Sequence, residues 1–153
     1  FMKNITLIIL VLFLYSCGYS SIYKKETSQN FKINIIKANG NKEMNNLIKN
    51  EIKLYSDEDT TNIYNLKIDT DYIKEALTKD TAGLITDYKL SVISIFTIDL
   101  EEKTKVIELK ETINIKNQLD SFEQSTYEKN IKRNFATSIR EKLISEILNI
   151  NDN

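Results

Sequence analysis

Hydrophobic residues recur at two different spacings along the chain, and the changes of spacing predict six elements. Phe31, Ile33 and Ile35 alternate with mostly polar neighbours, the two-residue period of a strand buried mainly on one face. Apolar residues at helical spacing follow the break at Asn39-Gly40-Asn41 and predict a helix over 41–55. The alternation then returns in three stretches, which predict strands over 64–72, 84–100 and 106–116.

The connections between these strands are predicted to be short enough for an antiparallel meander. Residues 71–83 mix Lys74 and Lys79 with Ala76 and Leu77 and end at Gly83, which is typical of a long hairpin connection. The stretch 84–100 has apolar residues at odd and at even positions, so both faces of this strand are apolar. Ile85, Ile93 and Ile95 lie on one face, and a second apolar set lies on the other. That set is Leu84, Tyr88, Leu90, Val92, Phe96 and Ile98. A strand that is apolar on both faces is expected at the centre of a sheet.

The last element is predicted to be an amphipathic helix ending at about Asn149. It begins at Ser121 or Ser125, since a capping box is available to Ser121 with Gln124 and to Ser125 with Glu128. The predicted inner face is Tyr127, Ile131, Phe135, Ala136, Ile139, Leu143, Ile144, Ile147 and Leu148. The predicted solvent face is Lys129, Lys132, Arg133 and Arg140. Such a helix can lie on a membrane, but the sheet needs a cover, which favours packing in the core.

The predicted fold class is α+β, a two-layer sandwich in the order strand, helix, strand, strand, strand, helix. The helix between the first two strands permits a right-handed parallel crossover, which makes the four-stranded, mostly antiparallel sheet mixed. Both helices then cover one face of the sheet. The other face carries Ile73, Ile85, Ile93 and Ile95 or their alternates, and an uncovered apolar face suggests a partner or a lipid.

The amino-terminal part of the chain has the pattern of a lipoprotein signal. Lys3 precedes an apolar run of about ten residues, which is half of what a spanning helix needs, and Ser16 precedes Cys17, the chain's one cysteine. We therefore expect a cleaved signal over 1–16, acylation of Cys17 and a polar tether over 17–30. A single domain over 31–150 follows. The alternative is an ordinary secretory signal with a chance cysteine, although a lone exported cysteine then has no partner.

Composition excludes several classes of protein. The net charge of −1 argues against a nucleic-acid binder, which would have a strongly basic face. The chain has no histidine, so Ser-His-Asp and Cys-His catalysis are unavailable, and acylation of Cys17 would also exclude a Cys/His zinc site. We therefore expect no enzyme activity, no cofactor and no metal. The acidic 57–59 stretch lacks the glycine and glutamate of an EF-hand and is interpreted as a plain turn.

Two stretches of the chain resemble the LPS-assembly lipoprotein (LptE) family, particularly its α-proteobacterial branch. Residues 17–23 read Cys-Gly-Tyr-Ser-Ser-Ile-Tyr, which is similar to the family's Cys-Gly-Phe-x-Pro-Leu-Tyr start, with Ser21 in place of the usual proline. Residues 88–92 begin the second stretch, which has the family's order of strand, turn, strand, tyrosine-bearing polar segment and long terminal helix. The resemblance covers nearly the whole chain after the signal.

The resemblance implies a lipoprotein of the outer membrane that faces the periplasm, without catalysis. Its implied partners are an outer-membrane β-barrel LPS-assembly protein (LptD-like) and lipopolysaccharide. The lipoprotein would plug and assemble this translocon and assist LPS insertion into the outer leaflet. Gly18 after the lipidated cysteine fits outer-membrane sorting, and Tyr19 and Tyr23 are candidate partner contacts. The alternative function is a free-standing envelope lipoprotein that serves an ABC-type lipid transport system.

Lys74 and Lys79 are the candidate contacts for lipopolysaccharide. An anionic head group favours cations, and both lysines lie in the predicted 71–83 connection at one end of the sheet. Solvated loop lysines without a ligand remain the alternative. Asp69 and Asp71 share one strand face and are expected at a solvated edge rather than in a carboxylate pair. The tyrosines are expected to pack half-buried rather than form a ligand cage; they are Tyr64, Tyr72, Tyr88 and Tyr127.

Overall fold

The predicted order of elements is confirmed. The computed structural model describes residues 31–55, 60, 62–100 and 104–151. The elements in chain order are β1 (Lys32–Gly40), α1 (Lys42–Tyr55), β2 (Ile63–Lys79), β3 (Ile85–Asp99), β4 (Thr104–Lys116) and α2 (Ser121–Asn151). The strands lie in the sheet in the order β1-β2-β3-β4. β1 pairs parallel with β2, while β2–β3 and β3–β4 are antiparallel, so the sheet is mixed as expected.

The core lies between one sheet face and the two helices. Alternate residues of each strand point into it, and the sheet contributes the fully buried Leu66, Ile68, Leu90, Val92, Phe96 and Ile98. From α1 come Met44, Ile48 and Ile52, and from α2 come Ile131, Phe135, Ala136, Ile139, Leu143, Ile144 and Ile147. These residues form one continuous cluster. In the part of the chain that the structure describes, no helix is long and apolar enough to cross a bilayer.

A glycine makes the junction between β1 and α1 possible. Gly40 has a φ of 78°, and its backbone lies so close to the carbonyl of Thr70 on β2 that there is no space for a Cβ. The Asn41 amide donates to Thr70 O at 2.6 Å, and Asn41 Oδ1 accepts from the Met44 amide at 3.0 Å. Asn41 is therefore the N-cap of α1, and the chain turns from strand to helix within two residues.

The predicted 71–83 connection is wrong, because most of it is strand. β2 runs to Lys79 and pairs with β3 as far as Ile85, with irregular register near Thr78. The actual turn spans only the residues after Lys79, where Asp80 Oδ1 accepts hydrogen bonds from the amides of Ala82 and Leu84 at 2.9 and 2.8 Å. Leu84, predicted in phase with the core, is exposed at this turn.

The terminal helix also differs from the prediction in detail. Its N-cap is Asp120, whose Oδ1 accepts from the amides of Phe122 and Glu123 at 2.9 and 2.8 Å, so neither predicted serine cap is used. Tyr127 and Leu148 were predicted to face inward but are about 40% exposed. Arg140 was predicted on the solvent face but is buried. Its guanidinium lies 3.8 Å from a carboxylate oxygen of Glu51 on α1.

Candidate functional site

The lipidation and partner-contact predictions lie outside the described residues. These are Ser16 and Cys17 at the predicted cleavage site, and Tyr19 and Tyr23 after it. The acidic 57–59 stretch is also outside the described part of the chain. Within the described residues, no group of histidine, cysteine or acidic side chains is arranged to hold a metal ion. The structure therefore bears on the sheet face and on the two lysines.

Both helices of the described residues lie on one face of the sheet, and no described helix covers the other face, which we call the open face. Alternate residues of β2 and β3 point to this face, where Ile73 and Ile95 are 40% and 38% exposed and Ile93 is half-buried. Val106 of β4 adds a 61% exposed side chain to the same face. It was not among the residues predicted for this face. Apolar side chains on an open sheet face are typical of an interaction surface.

Charged residues surround these apolar side chains. Asp69 pairs with Ile95 and Asp71 with Ile93 across the β2–β3 ladder, so both carboxylates lie on the open face and are exposed. On the β4 side, Ile95 is paired with Glu108. The two aspartates are solvated as expected, but β2 lies between β1 and β3, so the expectation of a sheet edge was wrong. Lys110, the partner of Ile93 on β4, lies on the same face, which therefore mixes isoleucines with charged groups of both signs.

The two candidate lysines occupy different environments. The Lys74 side chain belongs to the helix-covered face of β2 and forms an ion pair with Glu128 of α2. Its Nζ also lies 4.1 Å from the ring centroid of Tyr88 on β3. Lys79 is exposed at the end of β2, and five residues of extended strand place it about 16 Å from Lys74. The structure therefore does not bring the two ammonium groups together.

The Lys74 side chain lines a polar cleft between α1, β2 and the first turns of α2. The cleft has a volume of about 460 Å³. It is lined by Glu43, Lys74, Ser121, Gln124, Ser125, Glu128, Lys129 and Lys132. Lys132 donates to Glu43 Oε2 at 2.6 Å, and its Nζ lies 4.6 Å from the ring centroid of Tyr72. Two lysines of the cleft are thus already engaged by carboxylates and aromatic rings.

The charges in the cleft shift the pKa values of its acids. Burial acts to raise the pKa of Glu128, but hydrogen bonds from Lys74 and Gln124, with the nearby lysine charges, outweigh it and lower the pKa. Burial raises the pKa of Tyr72 to about 12, and the charges of Glu128 and Glu43 act in the same direction. At neutral pH Glu128 is therefore ionised beside Lys74, and the phenol of Tyr72 is protonated.

Sequence reasoning missed the cleft because it assigned its residues to separate surfaces. Lys132 was placed on the solvent face of the last helix, although it is one turn after Glu128 and both side chains line the cleft. The spacing of four between an acidic and a basic residue was the available signal. Tyr72 and Tyr88 are half-buried as expected, and both lie beside lysines of the cleft.

Comparisons with known proteins identify the fold. No family model matches the chain, and no curated protein matches its sequence. Among solved structures, the rare lipoprotein B from Shewanella oneidensis is similar, with a TM-score of 0.58 and 12% sequence identity. The similarity covers 77% of this chain and 96% of that one. A minor lipoprotein from Acinetobacter baumannii gives a TM-score of 0.47 at 13% identity over 72% of this chain and 93% of that one.

Proposed function

We propose, from its likeness in fold to rare lipoprotein B, that the chain is a lipoprotein of the bacterial outer membrane, anchored through acylated Cys17 and facing the periplasm. It acts as the non-catalytic lipoprotein subunit of a β-barrel LPS translocon, where it plugs and assembles the barrel and assists LPS insertion. The observation that supports the proposal is the structural match, which covers 96% of a solved lipoprotein, rare lipoprotein B.

The residues at the amino terminus support the anchoring step. A small residue, a single cysteine and Gly18 follow the apolar run, which is the arrangement expected of an acylated and sorted lipoprotein. One acyl chain holds a protein to a membrane only marginally, whereas several chains on one residue give stable anchoring. Tyr19 and Tyr23 then lie next to the anchor, where we expect them to contact the partner.

The described surfaces support a role in binding rather than catalysis. The open sheet face offers isoleucines flanked by aspartates, and the cleft offers lysines that are held in ion pairs. The chain has no histidine to act as a base, and the cleft's acid Glu128 has a lowered pKa. A partner that covers the open face would bury Ile73, Ile95 and Val106.

Acylation of Cys17 and binding to a β-barrel partner are tested in cells that carry a tagged copy of the chain. Metabolic labelling with an alkyne fatty acid should mark the wild type but not Cys17→Ala. Extraction in mild detergent should then recover a large β-barrel protein with the wild type, and depletion should reduce LPS at the cell surface. Recovery of the acylated chain alone, with surface LPS unchanged on depletion, would instead support the free-standing lipoprotein and refute the translocon role.

The predicted head-group contacts need a control for charge and for folding. The double variant Lys74→Glu, Lys79→Glu should lose binding to purified LPS. A matched variant, Lys67→Glu, Lys105→Glu, reverses two lysines that are paired elsewhere on the sheet and should bind normally. Because Lys74 is held by Glu128, the single Lys79→Glu variant separates loss of a contact from disturbance of the cleft. Unchanged LPS binding by the double variant would rule out both lysines.

A further inference from the structure

The first ten residues of α2 are attached to the domain differently from the rest of that helix. We call residues 121–130 the strap. None of its side chains is buried; Gln124 and Glu128 are half-buried, and Phe122 is 78% exposed. From Ile131 onwards, by contrast, the inner positions of the same helix are buried in the core. The change occurs within one turn of the helix. The strap is therefore continuous with a helix that packs in the core, but its own side chains do not pack there.

Polar contacts, rather than packing in the core, hold the strap to the rest of the domain. Glu128 Oε1 accepts from Lys74 on β2, and from Gln124 Nε2 at 2.6 Å. Gln124 Oε1 in turn accepts from the Gln118 amide at 2.8 Å. The side chains of Lys74 and Glu128 are 32% and 16% exposed, so this ion pair is partly shielded from water. Beside it lies the polar cleft, which separates the strap from α1.

We infer that the strap is a latched segment that detaches from the sheet as a unit while the rest of the domain stays folded, and that the Lys74–Glu128 pair is its latch. A ten-residue helical segment is not stable alone in water and depends on its tertiary contacts. Ion pairs with partial exposure contribute little compared with a buried apolar face. The strap and its latch depend neither on acylation nor on a partner.

Detachment of the strap changes what the sheet presents. Glu128 leaves the ammonium group of Lys74, and the ring of Tyr88 beneath it becomes accessible. In the closed strap the carboxylate of Glu128 occupies the position that an anionic ligand of Lys74 would take. The strap is therefore an internal competitor at Lys74, and an anion that binds there holds the strap open.

Hydrogen exchange measured by mass spectrometry on the full mature chain in mild detergent tests this inference. Amides of residues 125–130 should be protected on the order of 10- to 100-fold, as expected for local opening. Amides of residues 135–147 should be protected at least about 1,000-fold, because they exchange only when the domain unfolds. Equal protection of the two segments would overturn the inference.

The latch is tested with a matched pair of variants on the same helix. Glu128→Gln should speed exchange of residues 125–130 about 3- to 5-fold and leave residues 135–147 unchanged. Glu146→Gln removes the pair with Lys105, 3.3 Å apart, where the core holds the helix, and should change neither segment. The exchanged pair Lys74→Glu, Glu128→Lys should restore slow exchange. An unchanged rate in Glu128→Gln, or an equal acceleration in Glu146→Gln, would overturn the latch.

Discussion

Replacing Gly40 by alanine should destabilise the domain far more than the same change at Gly83. Both glycines have positive φ, 78° and 83°, which costs an alanine about 1–2 kcal/mol. Their surroundings differ. A Cβ on Gly83 would meet no atom of the described residues within 4 Å, whereas a Cβ on Gly40 would overlap the Thr70 carbonyl and lie 2.9 Å from Asp69 Oδ1.

The overlap at Gly40 cannot be relieved by a side-chain rotation, because the nearest atom belongs to the backbone of β2. The end of β1 must move away, which breaks the Asn41 N–H···Thr70 O hydrogen bond of 2.6 Å, a loss of about 1 kcal/mol. The terminal pairing of Gly40 with Thr70 is also disturbed. With the backbone strain of about 1–2 kcal/mol and about 1 kcal/mol more for the disturbed pairing, we expect Gly40→Ala to lose about 3–4 kcal/mol and Gly83→Ala about 1–2 kcal/mol.

Thermal unfolding followed by circular dichroism measures this difference. For a domain of this size, Gly40→Ala should lower Tm by about 12–16 °C and Gly83→Ala by about 4–8 °C. Asparagine tolerates positive φ, so Gly83→Asn should be nearly neutral, while Gly40→Asn should stay as unstable as Gly40→Ala. Equal losses at the two glycines would refute the close approach of β1 to Thr70.

Three further changes test the core, a cap and a partly exposed ion pair. Phe96→Ala should cost about 3–5 kcal/mol in urea unfolding because Phe96 is fully buried, whereas Ile95→Ala on the open face should cost less than about 1 kcal/mol. Asn41→Ala should cost about 1 kcal/mol through the lost cap of α1 and Asn41→Asp almost nothing; equal losses would contradict the cap. Burial acts to raise the pKa of Glu111, but hydrogen bonds from Lys142 and Ser138 lower it below 4.5, so its stabilisation is present above that pH and is lost as pH falls through the lowered pKa. Wild type should therefore be more stable than Glu111→Gln at pH 7 and approach it in acid, and a constant difference across pH would contradict the shift.

The residues that share one face of a strand could be predicted, because apolar and polar residues alternate along a strand that is buried on one side. The alternation places Leu66 and Ile68 on one face of β2 and Phe96 in the second apolar set of 84–100, and all three are buried in the core. The end of β2 could not be predicted in this way, because Lys74 and Lys79 interrupt the apolar pattern that defines a strand. Pairing with β3 makes this segment extended, and that pairing is a long-range interaction that a local pattern does not contain.

The candidate site was predicted less well than the fold, for a related reason. Lys74 was singled out for its charge, but its contacts with Glu128 and Tyr88 come from α2 and β3. The position of the strap over β2 depends on how α2 crosses the sheet, which helical periodicity does not specify. Arg140 shows the same limit, since its guanidinium is buried beside Glu51 of another helix.

The strand order also constrains the route by which the chain folds. β2, β3 and β4 follow one another closely along the chain, so their pairing closes only small loops. β1 instead joins Lys32 to Ile63 in parallel, and it can pair only after α1 has crossed over the sheet. Although β1 is made first by the ribosome, it has no partner until β2 exists, and it should dock last. A mild core change such as Ile33→Val should then accelerate unfolding while leaving the refolding rate nearly unchanged.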